Sequence, residues 1–153
     1  MEKQLAPILK GKIVIVGIGN LLRGDDGFGP YLVELLRDGI TAVCIDAGTA
    51  PESYIGKIIK EEPDTVLIVD AVHLGLPAGK FRVMEKSEIL KSGFTTHDLS
   101  PRMFMDHLEQ GTRAHIYMLG VQPQSVHFGD EMSEPVKKTA GQLAGQMREI
   151  LHA

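Results

Sequence analysis

Short apolar runs alternate with segments of helical spacing along the whole chain. Ile13-Val14-Ile15-Val16 is β-branched throughout and closes on Gly17-Ile18-Gly19-Asn20, the pattern of a strand buried on both faces. Beyond a glycine-rich loop, Phe28, Tyr31, Leu32, Leu35 and Leu36 recur on one helical face, with Pro30 tolerated only in the first turn. Ala42 to Ile45 predicts a second strand ending at Asp46, and Ile55, Ile58 and Ile59 predict a short helix opened by Pro51-Glu52. Val66-Leu67-Ile68-Val69 predicts a third strand that runs into Asp70. Gly75, Pro77 and Gly79 mark a turn before Lys80 to Met84, whose alternation and charge predict a half-exposed edge strand, free to run antiparallel. Ser100-Pro101 predicts the cap and first turn of a helix reaching about Gln110. Ala114 to Val121 predicts the last strand. Ser133 opens a terminal helix with Val136, Ala140, Leu143, Ala144, Met147, Ile150 and Leu151 on one side.

This alternation predicts an α/β fold: a single domain, residues 1–153, with a mostly parallel, twisted five-stranded sheet and helices on both faces. With 43% hydrophobic and 24% charged residues, the chain has the composition of an ordinary globular domain. A net charge of -4 and no block of Lys and Arg exclude a surface built to neutralise nucleic-acid phosphates. No apolar run approaches the roughly 20 residues of a membrane span. Met1 to Lys12 contains no apolar signal segment, and the single Cys44 can form neither an internal disulfide nor a thiolate zinc site. A cytoplasmic protein is expected.

In such folds, ligands bind beyond the carboxyl ends of the strands. Asn20, Asp25, Asp26, Asp46 and Asp70 should therefore meet at one edge of the sheet. Carboxylates gathered there repel unless paired, hydrogen-bonded, protonated or bound to a cation. Carboxylates with one imidazole suit nickel or zinc. His97, in the polar loop Thr95-Thr96-His97-Asp98, is the best-placed imidazole; His73 is its rival and His127 a weaker one. His107, His115 and His152 fit helix, strand and a frayed terminus. A strand-end Asp is commonly a cap or turn residue and a loop His a solvated one, so spacing alone leaves both readings open. The Gly17-Ile18-Gly19 start of a dinucleotide motif fails at Leu22. No nucleophile elbow or H-E-x-x-H pair exists, and Cys44 lies in an apolar strand. Met103 and Met105 are expected to fill core.

The run Gly17-Ile18-Gly19-Asn20-Leu21-Leu22-Arg23-Gly24-Asp25-Asp26-Gly27-Phe28-Gly29-Pro30 resembles the N-terminal signature of the hydrogenase maturation proteases. Asp46 to Glu52, Leu67 to Ala71, Thr95-Thr96-His97 and Gly120-Val121-Gln122-Pro123 resemble that family's later blocks, in the same order. The Gly-Asp-Asp and Thr-Thr-His blocks are most similar to its HycI-like branch. The resemblance implies an endopeptidase, aspartyl-type or metal-dependent, that removes the C-terminal extension of a nickel-loaded nickel-iron hydrogenase large-subunit precursor. By motif position it implies Asp26, Asp70 and His97 as metal contacts, with nickel supplied by the substrate and other divalent ions able to take its place. Asp46 and Asp25 are both candidates for water activation or loop support, and for Asp25 the expected role is structural, capping the helix that begins near Gly27. Where the family often has a second glycine after Asp46, this chain has Ala47. Two rival readings use the same loops: a nickel-sensing or escort protein that binds the precursor without cutting, and a phosphate- or nucleotide-binding domain, which the Asp25-Asp26 pair disfavours.

Overall fold

Side chains alternate across a strand with period two, so a strand that is apolar at every position must be covered on both sides. Val14, Val16, Val66, Ile68 and Met118 enter one core, and Ile13, Ile15, Leu67, Val69 and Leu119 enter another. The computed structural model describes residues 2–92 and 100–152; the Thr95-Thr96-His97-Asp98 block lies outside them. The elements run α1 (Glu2–Leu5), β1 (Ile13–Ile18), a 3-10 turn (Gly24–Gly27), α2 (Phe28–Leu36) and β2 (Val43–Gly48). A second 3-10 turn (Pro51–Tyr54), α3 (Ile55–Lys60), β3 (Thr65–Ala71), β4 (Phe81–Met84) and α4 (Lys86–Ser92) follow. The chain continues through α5 (Pro101–Gly111), β5 (His115–Val121) and α6 (Glu134–Leu151).

The strands form one five-stranded sheet in the order β2-β1-β3-β5-β4. All neighbours are parallel except β4, which pairs antiparallel with β5 at the edge. Helices α2 and α6 cover one face through Phe28, Leu32, Leu36, Val136, Leu143 and Met147. Helices α3, α4 and α5 cover the other through Ile58, Ile89, Phe104, Met105 and Leu108. The α/β architecture expected from the alternation is the one found.

Several local expectations shift. β2 does not stop at Asp46 but continues to Gly48, because Asp46 pairs with Gly17 and the register steps at the next residue, leaving Ala47 buried at the irregularity. Periodicity did not predict α1, which has four residues, or α4, whose apolar residues Ile89 and Leu90 are adjacent in sequence and form no stripe. Met105 is buried as expected, whereas Met103 is 57% exposed. At about 100° per residue, Met103 falls outside the arc from Phe104 to Met105 that faces the sheet. His152 is anchored rather than frayed, since it bridges Ile40 while Thr41 N donates to Leu151 O at 2.8 Å.

Ser100 caps α5 as expected, its Oγ accepting from Met103 N at 3.4 Å. Ser100→Ala removes that acceptor. It should cost about 1 kcal/mol, read as a fall of about 2–4 °C in melting temperature.

Candidate functional site

Glycines decide how the loop after β1 folds back on the sheet. Gly19 has φ +140°, and a Cβ there would lie 1.8 Å from the Asp26 carbonyl oxygen, so only glycine admits this approach. A Cβ on Gly29 would lie 2.4 Å from Ile18 O and 2.5 Å from Val69 O, so its absence lets the start of α2 settle on the ends of β1 and β3. The 3-10 turn carrying Asp26 thereby packs against β3, the strand that carries Asp70. Asp26 is 0% exposed and its Oδ2 accepts from Asn20 N at 3.0 Å. Asp70 is 1% exposed and its Oδ1 accepts from Ala71 N at 2.8 Å. Two buried carboxylates thus stand on packed neighbours, Asp26 on the turn after β1 and Asp70 near the end of β3. Their oxygens are the donors a divalent cation selects, and an imidazole added to them suits a first-row ion.

Asp46 is not buried with that pair. Its Oδ1 accepts from Gly48 N at 3.0 Å, and its side chain is exposed to a groove of about 320 Å³ shared with Gly19, Asn20, Leu21, Pro30, Gly48 and Thr49. His97 lies outside the described residues, but its flanks are placed. Helices α4 and α5, which bracket it, pack on the face of β3 shared by Val66, Ile68 and, by strand alternation, Asp70. Lys86 of α4 bridges Asp106 and Glu109 of α5, so the bracket is tied across its exposed side. The hydrogen bond between them holds the Asp106 carboxyl below, and the Lys86 ammonium above, its ordinary range. His73 and His127 are exposed. Among the described residues no three His, Cys, Asp or Glu side chains form a group able to hold a metal ion.

Asp25 does not cap α2. The cap residue there is Gly27, with no side-chain bond, and Asp25 instead turns toward the loop between β5 and α6. Its Oδ2 accepts from Gln124 N at 2.7 Å, Ser125 N at 3.4 Å and Ser133 Oγ at 2.8 Å, while Oδ1 accepts from Ser133 N at 2.7 Å. Ser133 spends its hydroxyl on this bond rather than on capping α6. The buried carboxylate straps the Asp26 turn to a segment about a hundred residues away.

Gln122, named above only within the block Gly120 to Pro123, turns out to hold a loop. Its Oε1 accepts from Leu74 N at 2.6 Å and Leu76 N at 3.4 Å, fastening the loop after Asp70 to the end of β5. The strand-end rule, extended to the final strand, points to it. Two larger cavities, about 420 and 460 Å³, flank β4 and α1, and neither is lined by Asp26, Asp46 or Asp70. Asp46 lines a separate, shallower groove at the carboxyl edge.

Cys44 packs half-buried against the α2 side of the core, and burial pushes its thiol above the ordinary value, with the Arg37 charge opposing. The thiolate is the nucleophile. Alkylation at pH 8 should therefore run several-fold slower than for glutathione and reach the free-thiol rate on unfolding in urea.

Comparison with known proteins places the fold in a family. The hydrogenase maturation protease family model, HycI, matches residues 30–150. The hydrogenase 3 maturation protease of Escherichia coli K12 is 35% identical over 127 residues, covering 81% of each chain. The crystal structure of the maturation protease HycI from Thermococcus kodakarensis superposes with a TM-score of 0.88 at 37% identity, covering 96% of this chain and 97% of that one. The solution structure of the E. coli endopeptidase HycI gives 0.79 at 29% identity, covering 91% and 90%. With most of its length matched by the family model, and with the sheet, the buried carboxylates and the glycine-built turn in place, this chain belongs to the HycI family of hydrogenase maturation proteases.

Proposed function

We propose that this protein cuts the C-terminal extension from the large-subunit precursor of a nickel-iron hydrogenase, in the cytoplasm, with nickel arriving on the precursor. The observation that carries this reading is the burial of Asp26, on the turn packed against β3, and of Asp70, near the end of β3, within a chain of the maturation protease family. Family membership supports the hydrolase, and the donor set supports the metal.

Asp26, Asp70 and His97 form the proposed contacts to the substrate's nickel. When bound there, that ion can polarise a carbonyl or a water molecule. The protein's own groups do the rest. Asn20 N and Ala71 N each fix one oxygen of a site carboxylate, so the remaining geometry is set before substrate arrives. Asp46, exposed in the groove with Oδ1 accepting from Gly48 N, is the proposed acceptor of a proton from the attacking water. Hydrolysis then forms the carbonyl carbon–oxygen bond, breaks the carbon–nitrogen bond and delivers a proton to the leaving amine.

The test is intact-mass analysis of a nickel-loaded precursor incubated with the protein. Loss of a C-terminal peptide supports the protease. A full-length precursor that stays bound to the protein replaces it with the escort reading.

A further inference from the structure

We infer that Leu21, Leu22 and Phe128 form an apolar rim on which the precursor docks, through an apolar segment beside its scissile bond; this rests on the protease reading of the neighbouring site. Among the described residues, four large apolar side chains are exposed: Leu21 at 59%, Leu22 at 62%, Phe128 at 70% and Met103 at 57%. Three of the four stand on two loops that are joined backbone to backbone. Gly129 N donates to Leu22 O at 2.8 Å, Gly24 N to Asp130 O at 3.1 Å and Asp25 N to Ser125 O at 2.9 Å. The Asp25 strap crosses the same two loops. Leu22 N also donates to Asn20 Oδ1 at 2.9 Å. These side chains are therefore presented to solvent on a fixed backbone, which lowers the ordering cost of binding there.

The rim is continuous with the site. Leu21 walls the groove that holds Asp46, and Asn20 beside it donates to Asp26. A protein substrate presenting a peptide bond to that groove lies against this loop. Exposed apolar side chains grouped beside a groove mark an interaction surface. Three side chains supply only part of the roughly 800 Å² per partner that a stable dimer buries, so a second copy of this chain is the poorer occupant. A precursor that also contacts the carboxylate site needs no more than a local apolar anchor here.

The experiment compares the unmodified protein with Leu22→Ser, Phe128→Ser and the double variant, measuring kcat and KM for precursor cleavage, Kd for the precursor by titration, and melting temperature. The double variant should raise KM and Kd about tenfold or more, with kcat within twofold and melting temperature unchanged. Unchanged KM and Kd in variants of an active protein overturn the rim while leaving the protease standing. If even the unmodified protein cuts nothing, the protease reading fails, and Kd still decides: a tenfold rise keeps the rim as a docking surface and no rise removes it. Should serine loosen the loop and lower the melting temperature, Leu22→Gln and Phe128→Gln replace the serine variants in the same measurements.

Discussion

Asp26→Asn and Asp70→Asn should each reduce precursor cleavage by about 10³-fold or more, below detection in an ordinary assay. Each substitution keeps the size of the side chain and one acceptor oxygen, so the bond from Asn20 N or Ala71 N can persist. What is lost is a negative oxygen at the strand edge, the feature that binds a cation and stabilises charge developing in the reaction. Both residues are buried, so solvent cannot substitute for the missing charge. Thermal unfolding of the same variants is the control: a collapse in activity with a melting temperature within a few degrees of the unmodified protein separates a chemical role from a structural one. Activity retained within tenfold in either variant would remove that carboxylate from the mechanism.

Asp25→Ala should show the opposite signature, a loss of stability first. Four donors from Gln124, Ser125 and Ser133 converge on this one buried carboxylate. Truncation leaves those part-buried donors without their acceptor, and it unhooks the Asp26 turn from the start of α6. Removing the charged acceptor of several part-buried bonds costs about 3 kcal/mol. For a chain of this length that is a fall of roughly 10 °C in melting temperature. Asp25→Asn retains the shape but turns an amide group toward amide donors, and should lie between the two. Cleavage measured well below the new melting temperature should fall less for Asp25→Ala than for Asp26→Asn.

The difference between these adjacent aspartates marks where sequence reading ran out. The carboxyl edge of the sheet was legible, because a β-branched run that stops at a polar residue locates a strand end, and Asp70 stands at the end of β3 as that rule expects, whereas Asp26 lies on the 3-10 turn beyond β1. Spacing alone did not separate the members of the Asp25-Asp26 pair, which only the family resemblance told apart, because their roles depend on a 3-10 turn and on partners about a hundred residues away. A local helix cap was the nearest short-range explanation for Asp25, and a long-range strap prevailed. Close approach was hidden for a similar reason. Gly17-Ile18-Gly19 looked like half of a dinucleotide motif, whereas Gly19 serves the passage of the Asp26 backbone at a distance no side chain tolerates. Asp46 followed the rule only in part: it stands at the edge, but the strand runs past it and its side chain opens on the groove.

The central claim is that substrate-borne nickel is engaged by Asp26, Asp70 and His97. The most direct measurement is the intact mass of one purified precursor, prepared with and without nickel, after incubation with the unmodified protein and with His97→Ala. The account predicts loss of the C-terminal peptide from the nickel-loaded precursor with the unmodified protein alone. Equal cleavage of the nickel-free precursor, or undiminished cleavage by His97→Ala, would contradict it.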